Sequence, residues 1–115
     1  MTTPLHEVSL DDKYTALEGD VVMSGIQALV RVPLDQHRRD RAAGLHTATL
    51  VSGYRGSPLG GLDMAFVRAG SLLDEHHVKF VNGVNEDLAA TMVYGSQLAH
   101  LFPGAKYDGV LGMWY

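Results

Sequence analysis

The sequence contains no cysteine among its 115 residues. This absence excludes disulfide bonds, thiolate nucleophiles and cysteine-bound iron–sulfur clusters from the chain itself. Any redox centre that works with this chain must therefore lie elsewhere. The six histidines show no spacing typical of metal ligands, and we predict no metal site in this chain.

Long apolar runs and targeting signals are also missing. No run approaches the roughly 20 apolar residues of a membrane-spanning helix. The first seven residues, Met-Thr-Thr-Pro-Leu-His-Glu, lack the basic and apolar regions of a signal peptide. A formal net charge of -4 gives no electrostatic reason to expect a nucleic acid or an anionic membrane as a partner. We therefore predict a cytoplasmic protein that binds neither nucleic acid nor membrane.

A strand, a glycine-rich loop and a helix follow one another in the middle of the chain. Residues 46–52 are rich in β-branched side chains, and apolar residues at helical spacing follow over 61–76. Ser57 followed by Pro58 predicts a helix N-cap with proline in the first turn. Because ligands of α/β folds bind at the carboxyl ends of strands, we expect an anion or a polar ring at this loop. A tight turn without any ligand has the same composition.

The other elements alternate in the same way along the chain. We predict an N-terminal arm over 1–14, a short strand over 19–25 and a helix over 26–43 that Pro33 kinks or delays. After the central strand, loop and helix, we predict a second strand of the same sheet over 78–82, a helix buried between neighbours over 88–101 and a third strand over 110–115. Alternating strands and helices indicate an α/β fold, a flavodoxin-like parallel sheet with flanking helices. Three strands are few for such a domain. We therefore interpret residues 15–115 as the N-terminal portion of a domain that is truncated at its C-terminus.

Two side chains are candidates for chemistry on their residue types alone. Asn85 is predicted to be the N-cap of the helix that follows the strand at 78–82. Glu86 comes next, at the start of a helix that we expect to be buried, where a carboxyl group withdrawn from water can share a proton with a ligand nitrogen. Acids are also common in a first helical turn because the helix dipole favours them, and Asp87 has only this explanation. Arg55 lies in the glycine-rich loop, where its guanidinium could bind a carboxylate or a phosphate or simply face the solvent.

Three blocks occur in order along the chain: Ser-Gly-Tyr-Arg-Gly-Ser-Pro-Leu-Gly-Gly (52–61), Gly-Val-Asn-Glu-Asp-Leu-Ala-Ala-Thr (83–91) and Phe-Pro-Gly-Ala-Lys-Tyr-Asp-Gly-Val (102–110). Together they resemble the indolepyruvate ferredoxin oxidoreductase family of 2-oxoacid:ferredoxin oxidoreductases, and specifically the N-terminal part of its large fused bacterial form. The resemblance covers nearly the whole chain from about Asp12. Each block alone would be weak, and their common order makes the resemblance specific.

The resemblance implies a thiamine diphosphate enzyme, of which this chain would be part of the pyrimidine-binding domain. Glu86 would be catalytic, through contact with N1′ of the aminopyrimidine ring. The loop from Gly53 to Pro58 would lie by the cofactor and the substrate; its implied cofactor-binding residues are Gly53, Tyr54, Gly56, Ser57 and Pro58. From chemistry we add that Arg55 or Ser57 could orient the substrate carboxylate.

The complete enzyme of this family decarboxylates a 2-oxoacid oxidatively, here an aryl one, to an acyl-coenzyme A. The carboxyl group at N1′ promotes removal of the thiazolium proton, and the ring accepts electrons as carbon dioxide leaves. Electrons then pass through iron–sulfur clusters to ferredoxin. Magnesium, the diphosphate group and the clusters would be bound outside this chain. We expect the chain alone to be inactive and the complete protein to be a homodimer.

Two other interpretations remain open from the sequence. The chain could be a non-catalytic fragment that serves as an interaction module. It could also be a small phosphate-binding α/β protein that uses the loop from Gly53 to Gly61, in which case phosphate alone should protect it from unfolding.

Overall fold

The computed structural model describes residues 7–115, which form a parallel sheet with helices packed against it. The helices are α1 (Asp12–Thr15), α2 (Gly25–Ala42), α3 (Leu62–Ala69), α4 (Ser71–Glu75) and α5 (Glu86–Gln97), and a 3-10 turn spans Ala99–Leu101. The strands are β1 (Thr47–Gly53), β2 (Val78–Asn82) and β3 (Gly109–Trp114). None of the helices within residues 7–115 is long and apolar enough to cross a membrane.

β1 lies in the centre of the three-stranded sheet, in the order β2-β1-β3. Both neighbours run parallel to it, and Val51 pairs with Phe80 on one side and with Met113 on the other. The predicted third strand is therefore confirmed; it pairs with β1 and lies across β1 from β2. The chain thus has an α/β fold with a parallel sheet and flanking helices, an arrangement consistent with a flavodoxin-like fold.

The two crossover connections place helices on opposite faces of the sheet. Crossovers between parallel strands are right-handed. Because the connection from β1 to β2 and the connection from β2 to β3 run in opposite directions across the sheet, they pass over opposite faces. The main core lies on the face of α2 and α3; its buried apolar residues are Tyr14, Val30, Leu34, Val51, Leu62, Phe66, Ala69, Leu73 and Val78. Phe66 stacks on Phe80 with ring centroids 5.4 Å apart. This core fixes β1, whose carboxyl end leads into the glycine-rich loop.

The predicted strand over residues 19–25 is wrong, because this segment has no strand partner and leads into α2. Val22 is 96% exposed there, so its β-branched side chain has no sheet surface to pack on. Ser24 is the N-cap of α2, and it forms a reciprocal capping box with Gln27. The helix begins at Gly25 and continues through the buried Pro33, so the delayed start that we considered does not occur.

The predicted helix over residues 61–76 is divided into α3 and α4 at Gly70. Gly70 has φ +52° and ψ −122°, a conformation that residues with a Cβ rarely adopt. The apolar spacing continues across this break, which explains why periodicity alone predicted one helix.

The expectation that the last helix is buried between neighbours is also wrong. Only Ala89 of α5 is buried, while Leu88 is 52% and Tyr94 is 65% exposed. The helix packs with one side against β1 and β3, and no other element of the described residues covers its outer side. The helix begins at Glu86, which was predicted to lie in its first turn, and it ends at Gln97, before the predicted end near residue 101.

The N-terminal arm predicted over residues 1–14 lies partly outside the described residues. Within the described part, Tyr14 belongs to the buried core. Its backbone carbonyl accepts a hydrogen bond of 2.6 Å from Arg38, and Arg31 donates to the carbonyls of Lys13 and Ala16. These contacts dock α1 onto α2.

Candidate functional site

The carboxyl ends of all three strands meet beside the glycine-rich loop. The backbone N–H of Gly83, after β2, donates to the carbonyl of Gly53 at 2.8 Å. On the other side, the N–H of Tyr115 lies 3.3 Å from the carbonyl of Ser52. The structure therefore brings together the loop after β1 and the start of α5, as expected for a ligand site in a parallel α/β fold.

Gly53 and Gly83 allow this close approach. A Cβ on Gly53 would lie 2.5 Å from both the ring and the carbonyl oxygen of Tyr115. A Cβ on Gly83 would lie 2.6 Å from the Cβ of Ala89 and 3.1 Å from the carbonyl oxygen of Gly53. Neither position has room for a side chain, so the sequence needs glycine where the two loops touch.

Local hydrogen bonds fold the loop before α3 begins. The N–H of Ser57 donates to the carbonyl of Tyr54 at 2.9 Å, and the N–H of Leu59 donates to the Ser57 hydroxyl at 3.3 Å. The N-cap of α3 is Gly61, with φ +86°. The prediction that Ser57 caps the helix is therefore wrong, since its hydroxyl closes a turn inside the loop instead.

The residues predicted to contact a cofactor lie mostly on the surface of this loop. Tyr54, Gly56 and Pro58 are exposed, and Ser57 is half-buried. A Cβ on Gly56 would overlap the ring of Tyr54, so a side chain there would require this exposed ring to move. Gly53 differs from the rest because it is buried at the end of β1.

Arg55, the predicted substrate-binding cation, forms an ion pair with Asp63 in the first turn of α3. Its Nε donates to Oδ2 of Asp63 at 3.0 Å. The side chain of Arg55 is 72% exposed, whereas that of Asp63 is only 7% exposed. The loop therefore presents a guanidinium group to the solvent and holds it from below through a buried carboxylate.

Glu86 is the first residue of α5, directly after its N-cap. The predicted cap is confirmed, since the side chain of Asn85 accepts a hydrogen bond of 2.8 Å from the N–H of Leu88. The side chains of Glu86 and Asp87 are both exposed. The expectation that Glu86 is partly withdrawn from water is therefore wrong for this chain, because α5 is covered on one side only.

Three neighbours of the site were not predicted from the sequence. The indole N–H of Trp114 donates to the backbone carbonyl of Glu86 at 3.1 Å. The hydroxyl of Tyr115 is buried and has no hydrogen-bond partner within residues 7–115. Burial raises the pKa of Tyr115, and the negative charge of Asp63 raises it further. In the sequence, only the spacing of eight residues between Arg55 and Asp63 could have indicated their ion pair. Trp114 and Tyr115 lie at the site because β3 pairs with β1.

The third sequence block lies at the opposite end of the sheet. Asp108, just before β3, exchanges two hydrogen bonds with the backbone of His46, at 2.8 and 2.7 Å. Tyr107 stacks on His46 with ring centroids 4.9 Å apart. The structure thus brings the first two blocks together and places the third away from them.

Four of the six histidines cluster at this opposite end. Nδ1 of His37 and Nδ1 of His76 are 3.0 Å apart, both side chains are buried, and His77 lies against His37 and His46. Burial lowers the pKa of His37 and of His76. Nearby positive charge lowers both further, from His76 and His77 for His37 and from Arg38 for His76. No group of three or more potential ligands within residues 7–115 is arranged to hold a metal ion.

The site is an open surface, and a cavity of about 710 Å³ lies elsewhere, between the segment around Leu10 and the start of α2. None of the predicted site residues lines that cavity.

No family model matches the chain, and comparisons with curated proteins and with solved structures found no match either.

Proposed function

We propose that this chain supplies the pyrimidine side of the cofactor site in a thiamine diphosphate-dependent 2-oxoacid:ferredoxin oxidoreductase of the indolepyruvate type. The observation that carries the proposal is the juxtaposition of two blocks of the sequence resemblance at one edge of the sheet. The loop that begins at Gly53 and the loop that leads from β2 into the helix at Glu86 touch through the 2.8 Å hydrogen bond from Gly83 to Gly53. This is the edge at which parallel α/β sheets bind ligands.

The residues at this edge fit the aminopyrimidine ring by their chemistry. A carboxyl group can share a proton with a ring nitrogen, and the side chain of Glu86 is exposed and makes no hydrogen bond to any residue between 7 and 115. Trp114, whose indole contacts the backbone of Glu86, and Tyr54, in the loop after β1, add exposed aromatic surface, 56% and 39% accessible. When bound, thiamine diphosphate supplies the carbon nucleophile and the electron sink for decarboxylation.

The chain's own groups would then have separate roles. Glu86 would hold and return a proton at N1′ of the ring. Gly53 and Gly83 would keep the two loops close enough for the ring to contact both. Arg55 would bind the carboxylate of the substrate. Other parts of the complete protein would bind the magnesium ion, the diphosphate group and the iron–sulfur clusters. We propose that this complete protein is cytoplasmic and is a homodimer.

The assay that tests the function uses the complete protein. We expect ferredoxin reduction that depends on an aryl 2-oxoacid, on coenzyme A and on added thiamine diphosphate. Indolepyruvate and phenylpyruvate should be compared with pyruvate, which has the same reacting carbons without the aryl group. Reduction that is equally fast without thiamine diphosphate, after the protein has been stripped of it, would contradict the proposal.

The two alternatives make different predictions. A phosphate-binding protein would use the loop from Gly53 to Gly61, and Gly61 is the N-cap of α3. This alternative predicts that inorganic phosphate raises the unfolding temperature of the chain. An interaction module predicts that the complete protein has no activity with any 2-oxoacid.

A further inference from the structure

A buried carboxylate lies directly beneath the exposed loop. Asp63 is 5% exposed and occupies the first turn of α3, where the helix dipole favours a negative charge. A buried charge is costly unless it is paired. Within residues 7–115, Arg55 is the only cation that forms an ion pair with Asp63. The hydroxyl of Tyr115 is near enough to sense the charge of Asp63, and it makes no hydrogen bond to it.

The ion pair with Asp63 uses only Nε of Arg55 and leaves the end of the guanidinium with the two terminal nitrogens free of hydrogen bonds within residues 7–115. A guanidinium is planar and its donors form a rigid fork. With Nε fixed, the two terminal nitrogens form an end-on pair of donors, which matches the two oxygens of a carboxylate.

The loop itself limits the movement of Arg55. The turn closed by the N–H of Ser57 and the carbonyl of Tyr54 spans this arginine, and the Ser57 hydroxyl holds the next residues. An exposed arginine otherwise loses considerable side-chain entropy when it binds a ligand. The buried anchor therefore removes part of the cost of ordering the side chain before a ligand arrives.

We propose that Asp63 is a positioning residue that fixes Arg55 so that its two terminal nitrogens bind the carboxylate of the 2-oxoacid substrate. This inference rests on the proposed function and assigns the substrate-recognition part of the same site. The alternative is that the ion pair of Arg55 with Asp63 only neutralises the buried acid and has no role in substrate binding.

The test is a double-mutant cycle in the complete enzyme, with steady-state ferredoxin reduction at varied concentrations of an aryl 2-oxoacid. Asp63→Asn keeps the shape of the side chain and removes its charge. We expect its KM for the 2-oxoacid to rise about tenfold, the order expected for loss of a hydrogen bond between charged groups. Its kcat and its affinity for thiamine diphosphate should change less than about twofold, because loss of an interaction that the ground state and the transition state share raises KM without changing kcat.

Arg55→Lys keeps the charge and removes the fork, so we expect a similar rise in KM. The double variant should be no worse than Arg55→Lys alone, because Asp63 acts through Arg55. The matched control is Asp74→Asn, which makes the same chemical change at an exposed position of α4. It should leave the kinetics unchanged.

Several outcomes would overturn the inference. An unchanged KM in Asp63→Asn, or additive effects in the double variant, would show that Asp63 has no role through Arg55. If Asp63→Asn does not fold, an unchanged KM in Arg55→Lys would overturn the inference by itself. A wild-type enzyme without any 2-oxoacid-dependent ferredoxin reduction would overturn the proposed function and this inference with it.

Discussion

The indole nitrogen of Trp114 donates a hydrogen bond to the backbone carbonyl of Glu86, 3.1 Å away. This contact joins the end of β3 to the first residue of α5, across 28 positions of sequence. It therefore places a strand end directly against the helix start that carries the proposed catalytic acid.

Trp114→Phe should weaken this junction without abolishing the fold. We expect a loss of about 0.5–1.5 kcal/mol in the free energy of unfolding, the net contribution of one hydrogen bond. Urea unfolding followed by circular dichroism measures it, and Tyr94→Phe is a matched control because Tyr94 is an exposed aromatic residue on α5. Equal stability of the two variants would show that the hydrogen bond contributes nothing.

Gly53→Ala should be strongly destabilising. The added methyl group would lie 2.5 Å from the ring and the carbonyl oxygen of Tyr115, and overpacking of this kind costs about 1–3 kcal/mol. Gly60→Ala, in the same loop, meets no atom within 4 Å and should change stability by less than about 0.5 kcal/mol. The urea midpoints of the two variants give the comparison. A stable Gly53→Ala protein would mean that the strand ends are further apart than described.

The stability of the chain should fall as the pH is lowered through the range in which unfolded histidine titrates. The folded state depresses the pKa of His37 and of His76. Below about 6.5, the unfolded chain therefore takes up protons that these two folded side chains do not bind. Their contribution to stability is fully present above this pH, and it is lost as the pH falls from there towards the depressed values.

Urea midpoints between pH 5 and pH 7.5 measure this dependence. His76→Gln removes one member of the 3.0 Å pair and should flatten the pH profile. His100→Gln is the control, since His100 is exposed and lies outside the cluster, and it should keep the wild-type slope. Identical slopes for the two variants would show that the buried pair does not govern the acid sensitivity.

The chain alone should bind thiamine diphosphate more weakly than micromolar. Micromolar affinity corresponds to about 8 kcal/mol, and most of it should come from the diphosphate and its magnesium ion, which we assign to another domain. Titration calorimetry on the 115-residue chain, with the complete enzyme as the positive control, measures the difference. Micromolar binding by the chain alone would show that it contains an anchor for the diphosphate.

Local signals in the sequence predicted correctly those strands and helices that have a neighbouring strand or helix to pack against. Residues 78–82 form a strand as predicted, and Asn85 caps the helix that follows, because β-branched content and cap chemistry act over a few residues. Residues 19–25 have a similar composition but no adjacent strand, so propensity alone gave the wrong result. Gly61, and not Ser57, is the N-cap of α3, because the Ser57 hydroxyl is used in a turn inside the loop.

The site could be predicted only where its residues lie on the two loops themselves. Both loops follow strands that were predicted to be parallel, and the carboxyl ends of parallel strands lie at the same edge of a sheet. The ion pair of Arg55 with Asp63 depends on where α3 begins, and the contact of Trp114 with Glu86 depends on strand order. The exposure of Glu86 depends on what covers α5, which periodicity does not report.

Comparison of Glu86→Gln with Asp87→Asn tests the central claim most directly. Adjacent helical residues point about 100° apart, so both acids cannot face one ring. In the complete enzyme, Glu86→Gln should keep its fold, because the dipole contribution of an exposed first-turn acid is only about 0.3–1 kcal/mol.

The measurement is steady-state, 2-oxoacid-dependent ferredoxin reduction, with thiamine diphosphate affinity determined separately for each variant. The account predicts that Glu86→Gln lowers turnover by on the order of a hundredfold or more, since the proton partner of the ring is lost, and that Asp87→Asn stays near wild type. Near wild-type turnover in Glu86→Gln, with a collapse in Asp87→Asn, would contradict the assignment.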